Sequence, residues 1–312
     1  MSTPSVAVII PAYNVQDYVV RAVESALTQT LPPQEIIVID DGSTDATGDR
    51  VRAMRYPNVR VIANRSNQGP SASRNLGFRV AKSDWVALLD ADDWWDPQRL
   101  ENLIAVAQTH QADIVADNLW LIEDGVERPW ATAKSPCHGQ VETVTMASLG
   151  KFDYGILQPL FNRHFLEQFE IFYDESLMHA EDFAFLYECL THRPKMVVTR
   201  RPFYYYRHRS RSLATQRMDA YPQGIAALKK LQNHANPDAC AVLKVRIRDL
   251  ERGYTLVKIR HFHETGQQGA MIRLALTKPL HAGWILYRLP WMVIRRGRKL
   301  AIRRATMLQG QD

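Results

Sequence analysis

The segment Leu88-Leu89-Asp90-Ala91-Asp92-Asp93 ends an apolar run in three carboxylates within four residues. Carboxylates this close repel one another, and each is better solvated by water. A fold tolerates the cluster where a divalent cation, or a ligand carrying one, supplies the missing positive charge. In an extended segment Asp90 and Asp92 point to the same side, so both can face one ligand. The same residues also suit a strand end that opens a helix, because aspartate favours a helix N-terminus.

The elements around the cluster decide what it can reach. Val6–Ile10, Ile36–Ile39, Val59–Ala63 and Trp85–Leu89 are short apolar runs without alternation, the pattern of strands buried on both faces. Ile114–Ala116 reads as a fifth. Between them Tyr18, Val19, Ala22, Val23, Ala26 and Leu27 recur at helical spacing, and Thr44–Met54 and a stretch ending near Ala81 also read as helices. Asp96-Pro97 predicts another helix start, with Asp as cap, Pro in the first turn, and Leu100, Leu103, Ile104 and Ala107 on the apolar face. Alternating strands and helices argue for an α/β fold, a mostly parallel central sheet with helices on both faces. Ligands of such sheets bind beyond the carboxyl ends of the strands. Pro11-Ala12-Tyr13-Asn14, Asp40-Asp41 and Asp90-Ala91-Asp92 all fall there and are expected to open onto one crevice. No Gly-x-Gly-x-x-Gly follows the first strand and no Walker motif is present, which disfavours a dinucleotide or P-loop site. Farther on, Glu181–Thr191 reads as a helix, Val197–Thr199 and Phe203–Tyr206 as short strands, and the chain from about Met218 as mainly helical.

Composition is that of a globular protein, 46% hydrophobic and 23% charged over 312 residues. Three cysteines, Cys137, Cys189 and Cys240, form no metal-like pair and no disulfide framework, which fits a reducing cytoplasm. The first residues lack the charged and apolar regions of a secretory signal. The net charge of +6 is unevenly placed: nine Lys or Arg against Asp312 follow Glu264, so the end of the chain is strongly basic and the rest slightly acidic.

Taken in order, Pro11-Ala12-Tyr13-Asn14, Val38–Asp45, Asn67-Gln68-Gly69 with Ser73-Arg74-Asn75, Asp90-Ala91-Asp92-Asp93 and His179-Ala180-Glu181-Asp182-Phe183 resemble the family-2 glycosyltransferases with a GT-A fold, most of all bacterial enzymes of exopolysaccharide and surface-glycan synthesis. Residues 6–215 follow the pattern. The Gln-x-x-Arg-Trp motif and the transmembrane helices of the processive branch are missing from the sequence. The resemblance implies a Rossmann-like GT-A catalytic domain over 1–215, with a nucleotide-sugar half to about 120 and an acceptor half over 121–215, and a helical C-terminal appendage over 216–312. It implies an inverting, metal-dependent, non-processive transfer of one sugar from a nucleotide diphosphate, with UDP suggested by Asp40. The acceptor would be a hydroxyl of a glycan or of a polyprenyl-diphosphate-linked sugar.

Roles follow by the same resemblance. Asp92 is the metal ligand, and Asp90 serves the ribose or the metal, with Mg²⁺ or Mn²⁺ bridging the diphosphate. Asp93 either assists or caps the turn at Trp94-Trp95. Asp40 accepts the base N–H, and Asp41 fixes the turn before Gly42. Pro11, Ala12 and Tyr13 wall the base, unless Tyr13 is a core aromatic. Arg74 reaches the base or phosphates, or else pairs with Asp40 or Asp90. Arg207 and Arg211 sit in a mobile loop expected to fold over the diphosphate. Asp182 takes the proton of the attacking hydroxyl. Many relatives carry Gly at Ala180, a departure that bears on local backbone geometry.

An apolar but interrupted run, Trp284–Ile294, precedes Arg295-Arg296-Gly297-Arg298-Lys299 and Arg303-Arg304. It is too short and broken to span a bilayer. Residues 284–304 instead suit an interfacial helix on anionic lipid, or a helix packed on protein. A peripheral position on the cytoplasmic face of the inner membrane follows from the first reading. Nucleic acid is not an expected partner, and the oligomeric state is open, with a dimer among the options. The competing readings are a sugar nucleotidyltransferase and a non-catalytic nucleotide-sugar-binding subunit.

Overall fold

Uninterrupted β-branched and aliphatic runs become the central strands of the computed structural model, which describes residues 3–133, 139–150, 152, 154–177, 179–209, 220–233, 235 and 237–277. Strand β1 (Val6–Ala12) pairs in parallel with β2 (Glu35–Asp40) on one side and with β4 (Trp85–Leu88) on the other, and β3 (Val59–Ala63) continues the parallel set beyond β2. Each of Val8, Ile9, Ile10, Ile36, Ile37, Val38 and Ile39 is fully buried, as a strand covered on both faces requires. The covering helices are α1 (Val19–Leu27), which buries Val19, Ala22, Val23 and Ala26, α2 (Thr47–Ala53) and α3 (Pro70–Val80).

Beyond β4 the sheet changes sense. Strand β5 (Trp94–Trp95) and helix α4 (Arg99–His110) lead to β6 (Ile114–Glu123), and β7 (Ala131–Thr132) and β8 (Val141–Val144) are short. After the one-turn helix α5 (Met146–Leu149) come a 3₁₀ turn, Tyr154–Leu157, strand β9 (Leu160–Asn162) and helix α6 (Arg163–Gln168). Helix α7 (Glu181–Thr191) and strand β10 (Met196–His208) follow. Strand β9 runs antiparallel to β4 and β6, and β10 antiparallel to β5 and β8. The order is β3-β2-β1-β4-β9-β6-β10-β5. The expected parallel sheet is thus confined to β1–β4, and the whole is mixed.

Other boundaries also shift. Helix α4 starts at Arg99 rather than Pro97, because Asp96 builds a turn first: its carboxylate accepts the Gln98 N–H and its carbonyl the Arg99 N–H. Helix α2 starts at Thr47 rather than Thr44. The two short strands expected around 197–206 are one thirteen-residue strand. Pro202 sits within it, preceded by exposed Arg200 and Arg201.

Phe78 of α3, Phe161 of β9, Phe185 of α7 and Tyr173, from the loop before α7, form one aromatic cluster, with Tyr173 stacked on Phe185 at 4.0 Å between centroids. Each such side chain contributes about 2–3 kcal/mol on burial, so the cluster fixes where α7 begins.

The chain divides into two compact units, Met1–Leu121 with Ala131–Arg207, and Ile122–Trp130 with His208–Asp312. Within the second, α8 (Ala220–Gln232) lies along α9 (Pro237–Glu264), with Leu228, Leu243 and Leu250 buried and Tyr221 stacked on Tyr254 at 5.8 Å. Helix α10 (Gln268–Thr277) follows. Among the described residues no helix is long and apolar enough to cross a membrane. The basic segment 284–304 lies outside them.

Candidate active site

The carboxyl ends of β1 and β2 are stitched together by polar side chains. The Asn14 side-chain oxygen accepts the Thr44 N–H at 2.8 Å, the Val15 N–H reaches the Thr47 hydroxyl at 2.9 Å, and the Gln16 N–H reaches Asp45 at 3.1 Å. Pro11 and Ala12 close β1, and Ala12 pairs with Asp40. The Tyr13 ring beyond them is 42% exposed. It is therefore no core aromatic. Asp40 is nearly buried, its carboxylate accepting the Ser43 N–H at 3.1 Å. Helix α2 carries Gly48 opposite, where a Cβ would collide with the Asp40 carboxylate. Asp41 reaches farther than the adjacent turn: it accepts from the Asn64 amide at 2.7 Å and the N–H groups of Gln68 and Gly69 at 3.0 and 2.8 Å. It thereby fixes the loop that leads into α3.

Helix α3 then aims Arg74 inward. The guanidinium is buried, 3.0 Å from Asp90 and 3.4 Å from Asp182, and packs against the Tyr173 ring. It does not pair with Asp40 among the described ion pairs. Burial opposes its charge, but Asp182, Tyr173 and Asp90 more than offset that and hold the guanidinium firmly cationic. Next to it, Asn75 clamps Tyr173 by accepting its N–H at 2.8 Å and donating to its carbonyl at 2.9 Å. The Tyr173 hydroxyl in turn donates to Asp182 at 3.3 Å.

The clustered carboxylates divide. Asp90 accepts from Arg74 on one oxygen and from the Gln158 amide, at 3.1 Å, on the other. Asp93 turns inward and is 2% exposed. It accepts the Tyr204 hydroxyl at 2.9 Å and the Arg207 N–H at 2.6 Å, so its carboxylate is tied to β10. Burial, with the charges of Asp92 and Asp90 added, pushes the Asp93 carboxyl well above the usual carboxylate range, against those two bonds. The Tyr204 hydroxyl also accepts the Asp90 N–H at 3.1 Å, so one phenol holds both ends of the acidic loop.

Arg207 lies in β10 rather than in a separate loop. Its Nε donates to the Asp92 carbonyl at 2.7 Å, and its guanidinium stands over Tyr18 and Trp94 at 4.9 and 4.8 Å. Arg211 lies outside the described residues. Asp182 is the second residue of α7, and Ala180 before it has φ 65°, the left-handed conformation that glycine adopts most easily.

The structure therefore brings Arg74, Asp90 and Asp182 to one place, with Asp92 and Arg207 adjoining through the acidic loop. Asp40, Pro11, Ala12 and Tyr13 line the carboxyl ends of β1 and β2. Among the described residues no three His, Cys, Asp or Glu side chains stand in an arrangement that could hold a metal ion by themselves. Sequence reasoning missed Tyr173, Gln158, Gly155 and Tyr204. Tyr204 stood within Phe203–Tyr206, read as a short strand; the other three carry no motif and are recognisable only by their contacts.

The sequence model described as Glycosyl transferase family 2 matches residues 7–177. The chain is 34% identical over 236 residues to the succinoglycan biosynthesis protein ExoO of Rhizobium meliloti, covering 72% of this chain and 67% of the relative. It is 36% identical over 121 residues, 39% of this chain and 48% of the relative, to an Escherichia coli protein named UDP-Glc:alpha-D-GlcNAc-diphosphoundecaprenol beta-1,3-glucosyltransferase WfaP. The matches thus span about half to two thirds of these relatives' own lengths. Among solved structures, S. aureus TarS 1-349 in complex with UDP-GlcNAc superposes with a TM-score of 0.66 at 19% identity, over 98% of this chain and 92% of that one. At that identity the likeness concerns the fold.

Proposed function

From its membership of glycosyl transferase family 2 with the GT-A fold, we propose that this glycosyltransferase of bacterial exopolysaccharide or surface-glycan synthesis moves one sugar from a UDP-sugar to an acceptor hydroxyl, with inversion. The acceptor is a glycan or a polyprenyl-diphosphate-linked sugar. The observation that carries the reading is the Arg74 guanidinium shared by Asp90 and Asp182. It joins the strand-end acid expected at the donor to the helix-start acid expected at the acceptor.

Asp40 accepts the N–H of the base, Pro11, Ala12 and Tyr13 wall it, and Asp90 meets the ribose. Asp182 takes the proton of the attacking hydroxyl while Arg74 and the Tyr173 hydroxyl fix its orientation, a contribution of about 10²–10⁴-fold for a positioned base. Arg207 and Arg211 face the diphosphate, where charge grows as the glycosidic bond breaks. Asp92 and Asp90 offer hard oxygen donors that suit Mg²⁺ or Mn²⁺, but too few to close a shell, so the diphosphate would complete it. When bound, such an ion neutralises the leaving diphosphate. Residues 284–304 would hold the protein to anionic lipid on the cytoplasmic face of the membrane, beside a lipid-linked acceptor.

The names of WfaP and of the TarS complex support a UDP-linked donor. The test is a panel of UDP-sugars with Mn²⁺ or Mg²⁺, followed by donor consumption and transfer to diphosphate-linked acceptors. Binding and turnover of one donor support the reading. Binding without any turnover would favour a non-catalytic subunit, and release of a nucleoside triphosphate from UDP-sugar and diphosphate a nucleotidyltransferase.

A further inference from the structure

Gln158 follows the 3₁₀ turn and is 3% exposed. Its backbone takes φ 50°, a left-handed conformation in a residue with a side chain. The surroundings over-determine it. Its carbonyl accepts from Arg99 at 2.8 Å, and Arg99 is locked in turn by two bonds of 3.0 and 2.9 Å to buried Asp117. Three residues earlier, Gly155 lies so close beneath Asp182 that a Cβ there would run into the Asp182 backbone. The turn therefore connects the underside of Asp182 to the flank of Asp90.

The side-chain amide has one possible orientation. A carboxylate only accepts, so the Gln158 nitrogen faces Asp90 Oδ2, 3.1 Å away. That leaves Oε1 buried without a hydrogen-bond partner, on the same planar amide that touches Asp90. A buried acceptor without a donor is costly. Under the proposed function Asp90 lies at the donor, whose sugar hydroxyls are hydrogen-bond donors.

We infer that Gln158 is a positioning and specificity residue: its Nε2 holds Asp90, and its Oε1 accepts a hydrogen bond from one hydroxyl of the donor's sugar. This rests on the proposed function, and the test separates the two. Calorimetry with Mn²⁺ compares UDP, UDP-glucose, UDP-galactose, their N-acetyl forms, and single-deoxy analogues of whichever binds, on the wild type, Gln158→Met and Gln158→Asn. Met keeps the volume without the polar atoms; Asn keeps the amide but withdraws it, and carries the measurement if the Met variant fails to fold. The expected result is UDP affinity within about threefold of wild type, donor affinity lower by roughly tenfold, and one deoxy analogue that binds wild type and variant alike. Equal weakening of UDP and donor, or a gap between wild type and variant that every deoxy analogue preserves, overturns the inference alone. A wild type that binds no donor overturns the proposed function, and the inference with it.

Discussion

The Arg74 guanidinium holds Asp90 at 3.0 Å with one nitrogen and reaches Asp182 at 3.4 Å with another. Replacing it by Met leaves two carboxylates facing each other with no cation between them. A loss of about 3–5 kcal/mol of stability is expected, as for other broken buried pairs. Arg74→Lys keeps the charge but cannot serve both acids with one planar fork. It should fold and lose turnover by roughly 10²-fold. Urea denaturation and a transfer assay check the two variants.

Asp182→Asn keeps the shape and removes the proton acceptor. Transfer should fall by about 10²–10⁴-fold, with UDP-sugar affinity changed only severalfold. Calorimetry alongside the transfer assay reads both quantities. Unchanged transfer would remove Asp182 from the chemistry.

The metal reading predicts a joint requirement. Mn²⁺ and UDP together should raise the melting temperature of the wild type more than the sum of either alone, because bound ligands stabilise by mass action. EDTA should abolish the extra increment, and Asp92→Asn should lack it. An Asp92→Asn protein with the wild-type increment would place the ion elsewhere.

Ala180 occupies a left-handed conformation at φ 65°. Ala180→Gly should relieve steric strain and raise stability by about 1 kcal/mol, read as a shift of the urea midpoint. A decrease would show that the smaller residue's freedom in the unfolded chain outweighs the relief.

Asp45 gives a pH dependence of known sign. Burial is the largest single influence and raises its carboxyl, but bonds from the Thr47 hydroxyl and from the Gln16 and Thr47 N–H groups together outweigh it and hold the carboxyl below the ordinary 3.8. A depressed native pKa means that the stabilisation is complete above the unfolded value and is lost as pH falls through the native one. Asp45→Asn should therefore be less stable than wild type at neutral pH, and the gap should close in acid. Urea titrations across that range test it.

The first four strands were legible because an unbroken aliphatic run has few places to go except a sheet covered on both faces. The apolar face of α4 was legible for a similar reason: Leu100, Leu103, Ile104 and Ala107 are all buried. Asp90, Asp182 and Arg74 lie in motifs, and the structure brings them together. Asp93 was not decidable, since an aspartate at a strand end looks the same whether it faces solvent or accepts from Tyr204. β10 read as two strands because Arg200-Arg201-Pro202 interrupts the apolar pattern, although the exposed positions of one continuous strand tolerate those arginines. Gln158 left no trace, because its importance lies in an unpaired oxygen and a backbone angle.

The switch of sheet sense at β4 has a consequence for biosynthesis. β4 can pair with β1 as soon as it is made, but its other neighbour, β9, starts at Leu160. At roughly 5–20 residues per second, a ribosome needs several seconds to supply it. For that interval the nascent chain presents an open apolar edge at Trp85–Leu88, a template for pairing with other chains. Truncations ending between α4 and β9 should therefore aggregate more than chains extended past β10, which supplies the remaining neighbour of β6.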